Sequence, residues 1–68
     1  MLRLLCVKGS KRFTLYRVYM PVVPETRGPT DMGPFYMFDD FRDRQVVFYD
    51  GHDGLWMSGD AEFAEVPE

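Results

Sequence analysis

Apolar and polar residues alternate with a period of two along most of the chain, and glycine, proline or Asp-Gly pairs interrupt each run. No apolar stripe at helical spacing lasts more than two turns before glycine or proline stops it. Val, Phe, Tyr and Thr fill the runs, and these residues suit a pleated, half-buried surface. The pattern predicts a first strand over Leu2–Lys8, closed by Gly9-Ser10. It predicts a second over Phe13–Met20, with Tyr16, Val18 and Met20 on one face and Leu15, Arg17 and Tyr19 on the other. Pro21 ends that strand because proline cannot donate to a sheet ladder. The segment Pro21–Pro34 has four prolines, two glycines and no alternation. A loop of that length in a compact domain is commonly functional or mobile. A third strand is expected over Phe35–Phe41, then a hairpin turn at Arg42-Asp43-Arg44 and a fourth strand over Gln45–Tyr49. Asp50-Gly-His52-Asp53-Gly54 supplies a second turn, followed by strands at Leu55–Ser58 and Phe63–Val66 with a single helical turn from Gly59-Asp60.

Five or six short antiparallel strands with close turns and one long early loop describe an all-β chain. We expect a single small barrel over residues 1–68, with the proline-rich loop at 21–34. Closure matters because a small open sheet exposes its edges to aggregation. An SH3-like barrel fits the length best, whereas an OB-type barrel needs more chain.

Composition narrows the classes further. Sixty-eight residues make one domain at most, and a chain of that size buries only about 60% of its unfolded surface. Aromatic residues at 16% exclude a chain that avoids collapse. Cys6 is the only cysteine, so no internal disulfide is available. The apolar start is broken at once by Lys8, Lys11 and Arg12, too soon for a signal h-region or a membrane span. These features predict a reduced, cytoplasmic, soluble protein with no membrane partner. The net charge of −3 is unevenly placed: residues 1–20 carry five bases and no acid (+5), and residues 21–68 carry three bases and eleven acids (−8). Either the surface is two-faced, or the basic stretch docks on the acidic part of the same fold; the small size favours the second.

Leu4-Leu-Cys-Val7, Phe13-Thr14 followed by Arg17 and Tyr19, Tyr36-Met-Phe-Asp-Asp40, and Trp56 with Phe63-Ala-Glu-Val66 together resemble a set of short proteins encoded by tailed bacteriophages. In that group a Cys-bearing first strand, a Leu-Thr-x-Gly-Lys-x-Tyr-x-Val strand, an Asp-Asp turn and a closing Arg-Phe-x-x-Val surround an SH3-like fold. The chain departs from the pattern with Tyr16 at the glycine, Pro21 at the valine, and the added segment Pro21–Pro34. The group shares no common activity, so the resemblance implies a fold and a phage origin, with the host cytoplasm as the compartment.

Residues that could carry chemistry are few. His52 is flanked by Asp50 and Asp53, a set that can bind divalent metals, but the calcium-loop spacing is not met. Turn geometry with a solvated histidine accounts for these residues. Asp39, Asp40 and Asp43 could hold magnesium, yet adjacent strand residues point to opposite faces. Arg42 and Arg44 are expected to form ordinary surface ion pairs with them, worth ~0–1 kcal/mol each. Cys6 has no histidine nearby in sequence, serine occurs only at Ser10 and Ser58, and no glycine-rich phosphate loop is present. We expect no enzyme activity, no cofactor and no metal.

Binding is the remaining class. Lys8, Lys11, Arg12 and Arg17, interleaved with Phe13, Tyr16 and Tyr19, could place phosphate contacts beside stacking rings. A pI near 5.0 opposes nucleic-acid binding. A protein partner is favoured, held by the long loop and its surroundings: Arg27 and Met32 on the loop, and Trp56 and Met57 beside a turn. In the competing reading Trp56 closes the core. Asp60, Glu62, Glu65 and Glu68 offer a further option, a negative patch that occupies a basic groove. The expectation is a non-catalytic accessory protein, monomer or weak homodimer, that binds and modulates a host or phage protein. A small nucleic-acid-binding barrel is the alternative.

Overall fold

The computed structural model describes residues 1–28 and 30–67. Its six strands are β1 (Leu4–Lys8), β2 (Val18–Tyr19), β3 (Phe35–Phe38), β4 (Arg44–Asp50), β5 (Leu55–Ser58) and β6 (Ala61–Glu65). They form one antiparallel sheet in the order β2-β1-β6-β5-β4-β3. The sheet curls into a half-barrel with a Cα radius of gyration of 11.0 Å. Beyond β2 the chain crosses to the far edge, where the Val22 N–H donates to the Tyr36 carbonyl at 2.7 Å. That bridge joins the two edges and gives the small all-β barrel architecture that the alternation predicts.

The concave side holds the core. Phe13, Tyr19 and Phe63 meet edge to face with centroids 5.1 to 5.8 Å apart. At the other end Phe35 stacks on Trp56 at 5.7 Å and Tyr49 meets the indole edge-on at 5.6 Å. Leu4, Cys6, Met37 and Val47 fill the space between. Gly33 lets the end of the long loop pass over this packing. A Cβ there would lie 3.1 Å from the Phe35 nitrogen and 3.4 Å from the Trp56 ring, and its φ of 89° already favours glycine. The loop folds back on the barrel: Pro21 is buried, Val23 packs against the core, and the Met32 carbonyl accepts from the Tyr49 N–H at 3.3 Å.

Three expected elements differ most from those observed, and the last strand begins two residues earlier than expected, at Ala61. The strand over Phe13–Met20 shrinks to Val18–Tyr19, because Thr14–Arg17 makes a tight turn with Tyr16 at φ 67°. Tyr16 N–H donates to the Cys6 carbonyl at 2.7 Å, and of the expected strand only Phe13 and Tyr19 enter the core. The strand over Phe35–Phe41 ends at Phe38, since the Asp39 carboxylate captures the N–H groups of Phe41 and Asp43 and turns the chain early. Gly59-Asp60 is a two-residue hairpin loop between Ser58 and Ala61 rather than a helical turn, with Gly59 at φ 57°.

Candidate functional site

The strands β3 and β4 are apolar on both faces. Phe35, Met37 and Val47 point into the core, so the period of two sends Tyr36, Phe38, Val46 and Phe48 outward. Each of these four is 47% to 52% exposed. Their register places Val22, Tyr36 and Val46 abreast, Phe38 opposite Arg44, and Phe48 opposite the half-buried Met57. Met20, two residues before Val22, is also exposed. A shallow cavity of about 130 Å³ lies among Pro34, Phe35, Tyr36 and Val46. The Arg44 guanidinium rests 4.7 Å from the Tyr36 ring centroid. Large contiguous apolar patches on a protein surface commonly mark interaction sites.

At the end of the β3–β4 hairpin stands a second arrangement, polar and mostly internal. The Asp39 side chain is fully buried. One of its oxygens accepts from Phe41 N–H at 2.8 Å and Asp43 N–H at 2.9 Å. The other accepts from Arg12 at 2.9 Å and the Gln45 amide at 3.1 Å. Burial alone would raise the carboxyl pKa, but the donors from Asp43, Arg12, Phe41 and Gln45 outweigh it and hold it below the ordinary value. Asp40 accepts from the Thr14 hydroxyl and the Tyr19 hydroxyl, each at 2.6 Å, and these bonds lower its pKa as well. Burial, then the bond to Asp40, raises that of Tyr19. This corner is structural: one Asp39 oxygen shapes the hairpin turn, and the other, with both Asp40 oxygens, holds the basic N-terminal stretch against it.

The expected nucleic-acid residues are largely consumed in that way. Lys8 pairs with Glu62 at 3.5 Å, Arg12 with Asp39 at 2.9 Å and Asp43 at 3.6 Å, and Arg17 with Asp40 at 3.4 Å. Lys11 is exposed and has no acidic partner among the described residues. It lines a cleft of about 480 Å³ between the Gly9–Phe13 loop and the Ser58–Asp60 hairpin. The expected pairing of Arg42 and Arg44 with the neighbouring aspartates is not observed. Arg12 and Arg17 take those carboxylates instead, because the fold brings the first strands across the hairpin end.

The four residues expected to meet a protein partner are scattered. Trp56 is 0% exposed and belongs to the core, so its ring presents no anchor; the inward parity of β5 decides this. Arg27 lies over the Phe35 ring at 5.5 Å and donates to the Asp31 carbonyl, which ties it down at the loop base. Met32 is partly exposed beside Gly33. Met57 alone borders the apolar outer face, through Phe48. The residues of that face were legible in one signal. Phe35–Phe38 and Val46–Tyr49 are unbroken apolar runs, and a sheet with a single covered face must expose half of each.

At the second turn, Asp50 accepts from the His52 N–H at 2.9 Å, so its carboxylate shapes the turn. Among the described residues no group of three or more metal-ligating side chains comes together. No helix among them is long and apolar enough to cross a membrane. Cys6 is buried, and burial raises its pKa. No family model, no curated protein and no solved structure matches the chain.

Proposed function

We propose that the protein is a non-catalytic binding module that engages another protein through the outer face of β3 and β4. The observation that carries this reading is the contiguous exposure of Tyr36, Phe38, Val46 and Phe48 on adjacent paired strands. Aromatic side chains of this kind supply large, rigid contact area and are enriched in protein interfaces. The resemblance to short tailed-phage proteins extends the reading to a host or phage protein as the partner, met in the host cytoplasm and modulated by the contact. The alternative, nucleic-acid binding through Lys8, Lys11, Arg12 and Arg17, has less support because three of the four are already paired with acids.

The test compares the full chain with a Tyr36→Ser/Phe48→Ser double variant as baits in bacterial lysate. The expected result is a stoichiometric protein retained by the first and lost by the second, with circular dichroism unchanged. Retention of nucleic acid instead, lost on Lys11→Ala/Arg12→Ala, would reverse the assignment.

A further inference from the structure

The docking face carries arginine charge beside its apolar rings, whereas another cation without an acidic partner among the described residues, Lys11, lines the cleft beside the Ser58–Asp60 hairpin. Elsewhere Lys8, Arg12 and Arg17 face carboxylates, and Arg3 and Arg27 donate to the carbonyls of Pro67 and Asp31. Arg42 and Arg44 have no acidic partner among the described residues. Arg44 sits on the apolar face itself, held over the Tyr36 ring with Phe38 opposite in register. A stacked guanidinium keeps its N–H edge free for a carboxylate. Arg42 stands at the hairpin end next to the exposed Phe41, in a left-handed conformation with φ 64°. The buried Asp39 fixes that turn from within through the Phe41 and Asp43 N–H groups, and the Arg42 N–H closes it on the Asp39 carbonyl at 3.0 Å. Two cations are therefore displayed beside an apolar sheet face, on a chain whose net charge is −3.

We propose that this face recognises an acidic polypeptide segment, its apolar side chains laid on Tyr36, Val46 and Phe48 and its carboxylates paired with Arg44 and Arg42. The proposal rests on the protein-binding reading and adds the chemistry of the partner. Charge complementarity selects this occupant over a second copy of the chain. A two-fold contact centred on the Tyr36 and Arg44 end of the face would bring two Arg44 and two Arg42 side chains together. Of the acids in the adjoining turn, Asp39 is buried against Arg12 and the exposed Asp43 is drawn toward Arg12 at 3.6 Å. It also selects against nucleic acid. Two unmatched arginines fall short of a basic track, and Val22 and Val46 offer no stacking plane between the rings.

A displayed library of random linear peptides, panned against the full chain with the Tyr36→Ser/Phe48→Ser variant as counter-selection, tests the proposal. The enriched peptides are expected to be net acidic with interspersed apolar residues. A synthetic copy of the strongest should bind at least about tenfold more weakly to an Arg42→Gln/Arg44→Gln variant, and weaken as salt is added. Enrichment of neutral or basic peptides, or unchanged affinity for the arginine variant, overturns the acidic-partner proposal and leaves the protein-binding reading standing. Absence of any enrichment over the counter-selection variant overturns both, as does tighter binding of single-stranded oligothymidylate than of any peptide. A dimer in sedimentation that Phe48→Ser dissolves would assign the face to a second copy and overturn the acidic partner.

Discussion

The inner and outer faces of β3 and β4 carry almost the same hydrophobicity and opposite duties. Phe35, Met37 and Val47 face the core, while Tyr36, Phe38, Val46 and Phe48 alternate with them on the same two strands. What separates the two sets is not residue type but what stands opposite. The inner set packs in the core with Trp56, whose ring stacks on Phe35, and the outer set meets Arg44, Val22 and each other. Apolar character alone therefore does not assign a residue to stability. Stability comes from closure of the packing around it, and an apolar residue without that closure is available for a partner.

Substitutions at matched positions on the two faces should separate them most sharply. Trp56→Ala is expected to cost about 3–5 kcal/mol, and Met37→Ala about 2–5 kcal/mol, because each empties a site with no room to collapse. For a small domain these losses approach the whole stability, so denaturant unfolding of the two variants should show little or no folded baseline. Phe38→Ser and Phe48→Ser, on the outer face, are expected to cost about 1 kcal/mol or less while removing binding. An outer-face substitution that unfolds the chain would dissolve the distinction.

A weaker effect should appear with pH. Asp39 and Asp40 have folded-state pKa values below the ordinary carboxylate value. Their contribution is therefore fully present above about pH 4 and is lost as pH falls through the lowered values. Melting temperature should be flat near neutrality and drop in acid, and Asp40→Asn should flatten the acid limb. Binding through the outer face should follow the same acid limb only as far as the hairpin end unfolds.

Accessibility gives a further contrast between the faces. The Cys6 thiol is buried and its pKa is raised. It should react with a thiol reagent only as fast as the chain opens, and at once in denaturant.

The smallest effects concern the two non-glycine residues with positive φ, Tyr16 at 67° and Arg42 at 64°. Glycine at either site should stabilise the chain by up to about 1 kcal/mol, since left-handed backbone is disfavoured for other residues. Tyr16→Gly should leave peptide binding intact. Arg42→Gly should raise the melting temperature and still weaken the acidic peptide, which would place Arg42 with the outer face rather than with the corner that supports it.

Much of this architecture was open to reading from the alternation. Leu55–Ser58 appears as expected, and the first and fourth strands differ only at their ends, because the period of two and the Asp-Gly turn act locally. The second strand was less legible. Phe13–Met20 alternates well enough, but the turn at Thr14–Arg17 depends on Tyr16 bonding to Cys6 and on Thr14 and Tyr19 reaching Asp40, contacts made by residues far apart in the chain. The docking face was half legible. Its apolar runs stand in the sequence, yet Trp56 offered a stronger lone signal, and only its placement opposite Phe35 removed it from the surface.

By itself the sequence determined an all-β chain of short strands, a small barrel, one long proline-rich connection and an uneven charge of +5 followed by −8. These are properties of neighbours along the chain: alternation, turn chemistry and proline's missing donor. The tertiary structure alone decided which aromatic rings are core and which are surface, and which bases are neutralised. Curling the sheet covers one face and leaves the other bare, and it carries Arg12 and Arg17 across to Asp39 and Asp40 while Arg42 and Arg44, nearer to those acids in sequence, are left without acidic partners among the described residues.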